Sequence, residues 1–380
     1  MERVAVVGVG QTKYEREKRR ETFADLVYEV TSKALSDAKI TIDEIDNVVT
    51  VSNDFWDGRT ISTMAVTDAC GSHNKCISTV EDDGTFGVLY GYMRILSGCF
   101  GTTLVVAHHK GSESESHLIT NAMFDPVYQR MLGMDAISSS ALQARAYMNK
   151  YGITEEQCAL VSVKNHKNAL NNPYAQIAKE LEVSDVLNSR MLSDPIKLLD
   201  ASPISDGACA VILAEEGRAK KIAQKPVWIK GIGHCADAYN LGDRDLAECD
   251  SLLRAAKMAY ERAGIKEPLK EIDLAEVYDA FSYQELMWTE GLLFCEKGEG
   301  GRLIEEGKTG MDGELPVNPS GGVISAHPVL VAGLARVAEA VLQVRGDAEK
   351  RQVKGVKTAL AQGINGPCGQ AHCVIVFGQE

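Results

Sequence analysis

The sequence predicts an α/β protein built from two related halves, with helices between and outside their sheets, and three observations carry that prediction. A short apolar strand ending in glycines occurs twice, the elements after it keep the same order both times, and a long polar stretch interrupts the first copy. The first strand is VAVVGVG, Val4 to Gly10, an apolar run that reads as a buried strand entering a turn. Its second copy is VWIKGIG, Val227 to Gly233. A helix follows each. FADLVYEVTSKALSDAKI places Leu26, Val30, Ala34 and Leu35 on one stripe, and SLLRAAKMAYERAGI does the same with Leu252, Ala256, Ala259 and Ala263. Both helices lead to the tripeptide EID and a second strand. Farther on, GVLYGYMRILSG precedes the strand TTLVVAH, and PVLVAGLARVAEAVLQVRG precedes TALAQGI. Four elements in register argue for a pseudo-twofold and a layered arrangement. The halves are expected at 1–225 and 226–380, with an inserted loop domain over about 111–199. That insertion holds the amphipathic ALQARAYMNKYG and the breaker Asn171 to Pro173. The glycines at Gly8 and Gly231 open no GxGxxG helix, so a dinucleotide fold is the weaker reading.

Composition narrows the function. With 45% hydrophobic and 24% charged residues the chain has ordinary globular values, which exclude disorder. A net charge of -13 argues against binding a nucleic-acid backbone, and an anionic small substrate requires a local basic patch. No apolar run reaches the roughly 18 residues of a membrane span, and MERVAVVGVG lacks the pattern of a leader, so a cytoplasmic protein is expected. Ten cysteines without close CxxC pairs read as free thiols in a reducing compartment.

The strongest motif is NPSGGVISAHP, Asn318 to Pro328, where glycines and small residues let a loop approach a ligand before a helix that Pro328 opens at its first position. Two others are EVYDAFSYQEL, Glu276 to Leu286, and LLDASPISDGACAVIL, Leu198 to Leu213. These resemble the NxxGGxxxxGHP, (H/N)(E/D)(A/C)F and SxxxDGAAAV segments of the thiolase superfamily, closest to its sterol-carrier-type and archaeal branches. With the repeat and MNKYGITEEQ they cover nearly the whole chain. The resemblance implies the thiolase fold, an αβαβα arrangement of the two halves. It also implies coenzyme A as substrate or product, and His327 as a catalytic histidine.

Thiolases work through an acyl-cysteine at the start of a buried helix, where backbone amides stabilise the thiolate and the acyl oxyanion. Counting back from Ser97-Gly98, this chain has Glu81 in that slot, in TVEDDGTFG. Glu81 is then either a desolvated general base beside His327 or, with Asp82 and Asp83, an acidic first turn favoured by the helix dipole. Cys76, five residues earlier, reads as a packed core cysteine. The family's water-holding His or Asn is Tyr278 here, and its C-terminal Cys or His falls near Gly363. Cys368, in QGINGPCGQAH, is the best remaining thiol, with a buried small residue beside Pro367 as the equal alternative. Ser202 holds the position that touches pantetheine, or is a turn serine. Gly322 and Gly366, in the two glycine-rich loops, complete the expected coenzyme A contacts. Asp206 reads as structural. His108 and His109 are adjacent on a strand and so point to opposite faces, a poor metal pair, and with His117 downstream no metal site is expected.

Three functions remain open at this point. The first is thiolase-type acyl transfer from a β-ketoacyl-CoA to CoA, with Cys368 as nucleophile or with direct attack by CoA. The second is retro-aldol cleavage of a β-hydroxyacyl-CoA, which requires only a base such as Glu81 or Tyr278 and a hole for the enolate. The third is a catalytically silent scaffold subunit. LMWTEGLLF, Leu286 to Phe294, and Phe86 are candidates for an apolar acyl pocket. The resemblance further implies a homodimer and a small partner protein with a zinc ribbon and an oligonucleotide-type barrel.

Overall fold

The computed structural model describes residues 3–81 and 83–379. Its strands are β1 (Val4–Gln11), β2 (Asn47–Val51), β3 (Cys76–Val80), β4 (Thr102–Lys110), β5 (Met191–Ser193), β6 (Ile196–Lys197), β7 (Asp206–Glu215), β8 (Val227–Ala236), β9 (Leu274–Glu276), β10 (Thr358–Asn365) and β11 (Ala371–Gly378). Nine of them form one mixed sheet in the order β3-β2-β4-β7-β1-β8-β11-β10-β9, and β5 pairs with β6 in a separate ribbon.

The large sheet reads alike outward from its middle. β1 pairs antiparallel with β7, β7 antiparallel with β4, and β4 parallel with β2. On the other side β8 pairs antiparallel with β11, β11 antiparallel with β10, and β10 parallel with β9. The halves meet through two residue pairs, Ala5 with Trp228 and Val6 with Val227. β3 extends the first half and has no mate in the second.

The long helices used below are α1 (Phe23–Ala38), α2 (Gly84–Leu96), α3 (Ala136–Tyr151), α4 (Glu155–Ala169), α5 (Asp250–Ala263), α6 (Ser282–Gly291) and α7 (Ala332–Arg345). α1 packs on β1 and β7, and α5 packs on β8 and β11. The repeated glycines explain how closely. A side chain at Gly10 would stand 2.3 Å from the Val30 carbonyl oxygen, and one at Gly233 would stand 1.9 Å from that of Ala255. These glycines lie inside strands that run on to Gln11 and Ala236, which corrects the expected turn. They are kept for helix approach.

α2 and α7 fill the space between the halves, α2 touching β4 and β10, α7 touching β10 and β7. Nearly every residue of α7 is buried, as expected of a helix covered all round. The EID tripeptides act identically. Asp46 accepts from the amides of Gly101 and Thr102 at the start of β4 (2.7 and 3.0 Å), and Asp273 accepts from Lys357 and Thr358 at the start of β10 (2.7 and 2.8 Å).

Between β4 and β7 the chain forms α3, α4 and the small ribbon. Cys76 is exposed at the start of edge strand β3, 2.9 Å from Arg94 Nη2, which corrects its reading as a core thiol. Among the described residues no helix is long and apolar enough to cross a membrane.

Candidate active site

His327 stands at the end of the Asn318–Pro328 loop, and the Glu276–Asp279 segment after β9 holds that loop in place. Asn318, at φ 54, accepts from the Val277 amide through its side chain (2.8 Å) and donates its own amide to the Ala275 carbonyl (2.8 Å). Ser320 donates to Glu276 from its amide (2.9 Å) and hydroxyl (2.7 Å). Asp279 accepts from the Val323 amide (2.6 Å) and from Asn165 of α4 (2.7 Å). A side chain at Gly322, at φ 67, would lie 2.4 Å from the Asp279 carboxylate, so this position must stay glycine. Two buried ion pairs balance the acids: Arg336 with Glu276 at 2.9 Å and Lys164 with Glu285 at 2.8 Å. Burial, together with the charge of Glu285, pushes the Asp279 pKa up.

The loop delivers a histidine fixed at backbone and ring. The His327 amide donates to Ser205 Oγ (2.9 Å), and its carbonyl accepts from the Ser205 amide (3.1 Å). Its Nδ1 lies 2.8 Å from Ser202 Oγ and its Nε2 lies 2.7 Å from Tyr278 Oη, with the two rings at 88°. Packing around the ring and the nearby Arg336 charge push its pKa down to about 3. The imidazole is therefore neutral, with one N–H to give and one lone pair to receive. Both hydroxyl neighbours suit either tautomer. Tyr278 Oη is also 3.2 Å from the Val329 carbonyl. Its amide donates to Gln362 (2.8 Å), its carbonyl accepts from the Trp288 indole (2.8 Å), and the Gln362 amide nitrogen is 2.9 Å from His372 Nδ1. Burial, then the charge of Asp83, raises the Tyr278 pKa well above 10 and keeps the phenol protonated.

The structure thus brings His327, Tyr278 and Ser202 together. It does not bring Glu81 or Cys368 into hydrogen-bonding contact with them. Glu81 is exposed, directly after β3, and Asp82 lies outside the described residues. Cys368 is buried beside Phe124 and Leu241, and its carbonyl accepts from Gln143 (3.1 Å). Burial pushes its thiol up to about 11, leaving almost no thiolate at neutral pH. Gly322 is turned toward Asp279, and Gly366 sits at the β10–β11 tip at φ 74. Leu286, Met287 and Trp288 of α6 are core residues. Pro328 does not open the long helix; a 3-10 turn, Val329–Val331, intervenes before α7.

Sequence reasoning took Asp83 only as part of an acidic first turn. This residue caps α2 by accepting from the Thr85 amide (3.1 Å) and hydroxyl (2.8 Å), and it accepts from the Gly333 amide of α7 (2.6 Å). The signal was an Asp directly before Gly-Thr at a helix start, a capping pattern. His108 and His109 do face opposite sides: His108 bonds Asp57 at 2.8 Å, while His109 packs against Trp56 on the His327 side. Asp206 ties Lys18 and Ser112 together. Among the described residues no group of three His, Cys, Asp or Glu is arranged to hold a metal ion.

The description "Thiolase, N-terminal domain" matches residues 4–217, and "Thiolase C-terminal domain-like" matches residues 233–379. The chain belongs to the thiolase family. The "Acetyl-CoA acetyltransferase" of Methanothermobacter thermautotrophicus is 37% identical over 380 residues, covering 98% of each chain. "Sterol carrier protein 2" of Bos taurus is 31% identical over 95% of this chain and 70% of its own length. Among solved structures, the "Ltp2-ChsH2(DUF35) aldolase" superposes with a TM-score of 0.85 at 24% identity, covering 99% of this chain and 98% of that one. Family and fold agree: this is a thiolase-type enzyme.

Proposed function

We propose that this enzyme makes or breaks the carbon–carbon bond beside a CoA thioester, by thiolase-type transfer of an acyl group from a β-ketoacyl-CoA to CoA. The observation that carries the reading is the His327 ring, neutral and held at both nitrogens by Ser202 and Tyr278. When the thioester oxygen displaces one of those two hydroxyls, the neutral imidazole N–H in this low-dielectric site stabilises the enolate oxygen that C–C cleavage creates. With no thiol hydrogen-bonded to His327, CoA attacks the substrate directly. The acetyl-CoA acetyltransferase of the archaeal relative supports this order of preference.

One observation favours a second reading, retro-aldol cleavage of a β-hydroxyacyl-CoA. Tyr278 supplies a protonated phenol at His327, and that reaction requires no acyl-enzyme. A solved aldolase carries the same fold. A silent scaffold is disfavoured by the buried charges spent on holding the HP loop. The deciding experiment incubates the protein with a β-ketoacyl-CoA, with and without free CoA, and with a β-hydroxyacyl-CoA. Strict dependence on CoA supports thiolysis; release of an aldehyde or ketone from the hydroxyacyl-CoA supports the lyase. Activity lost in Cys368→Ser, with an acyl adduct on Cys368 by mass spectrometry, would restore the acyl-cysteine route.

Ser202 and the loops of Gly322 and Gly366 are assigned to the coenzyme A side of the site, with no metal in this chain. The halves divide near residue 225, and 111–199 is the loop domain. The protein is assigned as a cytoplasmic homodimer. Support comes from β3, an open sheet edge with partly exposed residues, beside Met93 and Leu96 on α2. A small zinc-ribbon partner is the natural extension, given a neighbour in fold named for two proteins.

A further inference from the structure

We propose that Asp83 is the acid/base residue of this enzyme, the carboxylate that takes a proton from CoA sulfur or a β-hydroxyl and returns it to Cα. The proposal rests on the C–C reading above. Asp83 is 4% exposed, yet it sits where the starts of α2 and α7 converge, with Thr85 and Gly333 amides both donating to it. Helix N-termini favour an anion, so the carboxylate form is supported from two directions. The Thr85 amide and hydroxyl and the Gly333 and Gly84 amides all point at this carboxylate, so a substrate proton reaches it by displacing one of these donors. Room for it comes from two glycines. A side chain at Gly363 would lie 2.2 Å from the Asp83 carboxylate, and one at Gly333 would lie 1.7 Å from it.

The position is also next to the chemistry. Asp83 is hydrogen-bonded to the Gly333 amide, six residues along the same segment from His327, whose Nε2 is 2.7 Å from the Tyr278 phenol. Burial outweighs these donors and pushes the Asp83 pKa up to about 7. A carboxyl poised there both accepts and gives a proton at neutral pH. The ionisable groups around the Asp83–Tyr278 pair are His327, Arg336 on α7, Asp279 after β9 and Cys373 on β11, whose thiol approaches the Thr85 carbonyl. Arg336 is committed to Glu276 and His327 stays neutral, so neither supplies this proton.

The steps balance in both readings. In thiolysis Asp83 takes the S–H proton of CoA and the sulfur bonds the β-carbonyl carbon. The Cα–Cβ electron pair passes to the thioester enolate facing His327, and the proton on Asp83 goes to Cα. In aldol cleavage the proton comes from the β-hydroxyl, the same electron pair moves, and a carbonyl product leaves before Cα is protonated.

The test follows exchange of the Cα hydrogens of acetyl-CoA into deuterium oxide by mass spectrometry. Wild type should exchange, half-maximally near pH 7, because the ionised carboxylate removes the proton. Asp83→Asn should lower the rate at least about 100-fold while calorimetry shows acetyl-CoA bound as before. Thr85→Val, which keeps shape and removes one donor to the carboxylate, should move the midpoint to higher pH. Wild-type exchange in Asp83→Asn, or an unmoved midpoint in Thr85→Val, overturns the assignment. A wild type that binds acetyl-CoA without exchanging it overturns Asp83 alone. A wild type that does not bind it overturns the functional reading as well.

Discussion

The two halves of this chain share a scaffold and hold their buried polar groups differently. In each half a glycine-bearing strand accepts a helix, and an EID aspartate fixes the start of a neighbouring strand. The loops leading to the central helices differ sharply. Before α2 the chain passes from β3 through exposed Glu81 to a single buried cap, Asp83. Before α7 it passes through a loop stitched to Glu276, Asp279, Glu285 and Asn165, ending on His327. A repeat can therefore keep its fold through backbone-level devices while the loops before its two central helices take up very different polar surroundings.

The largest effect that would break this comparison is at His327. His327→Asn should preserve the fold and lower turnover by about two orders of magnitude or more. Steady-state rates on a β-ketoacyl-CoA or β-hydroxyacyl-CoA check it, and near-normal turnover would remove the second half from the chemistry. Tyr278→Phe keeps the ring in its buried place and deletes only the hydroxyl on Nε2. A fall in kcat of about 10- to 100-fold is expected, with little change in melting temperature. An unchanged kcat would make the phenol a packing group.

A stability experiment sharpens the other side of the comparison. Asp46→Ala and Asp273→Ala each remove two amide acceptors at a strand start, and each should cost about 1–3 kcal/mol by denaturant unfolding. Similar costs would confirm that the repeat is energetic as well as geometric. A loss at one site and none at the other would show that the symmetry is only of outline.

How much of this could be read from the chain follows from the range of the interactions. Strand and helix order was legible because periodicity is local, and the paired VAVVGVG and VWIKGIG strands and the doubled EID placed the pseudo-twofold. His327 was legible because its loop, its glycines and its proline are contiguous. Tyr278 was legible as a departure at a motif position, though its bond to His327 spans 49 residues. Asp83 was not, since the contact that distinguishes it from an ordinary cap is with Gly333, 250 residues away. Glu81 was favoured by counting along a motif. Counting cannot see that a side chain just before a helix has solvent on one side, while the residue two places on turns inward. Cys76 was misread for a related reason: its strand is apolar in sequence but lies at the sheet edge.

The smallest expected effect is at Glu81, and it separates position in a motif from position in space. The residue is exposed, has no hydrogen bond or ion pair among the described residues, and lies just before the buried cap Asp83. Glu81→Gln should change stability by less than about 0.5 kcal/mol, as for surface substitutions away from special features. Turnover should stay within about twofold of wild type, because an exposed carboxylate is neither desolvated nor aimed at the substrate. The informative readout is the pH profile of turnover measured beside that of Thr85→Val. If Glu81→Gln leaves the profile in place while Thr85→Val moves it, the titrating carboxylate is the buried one. A large loss in Glu81→Gln would mean that substrate binding draws this loop inward, and the motif slot would regain the role that its place in the sequence suggested.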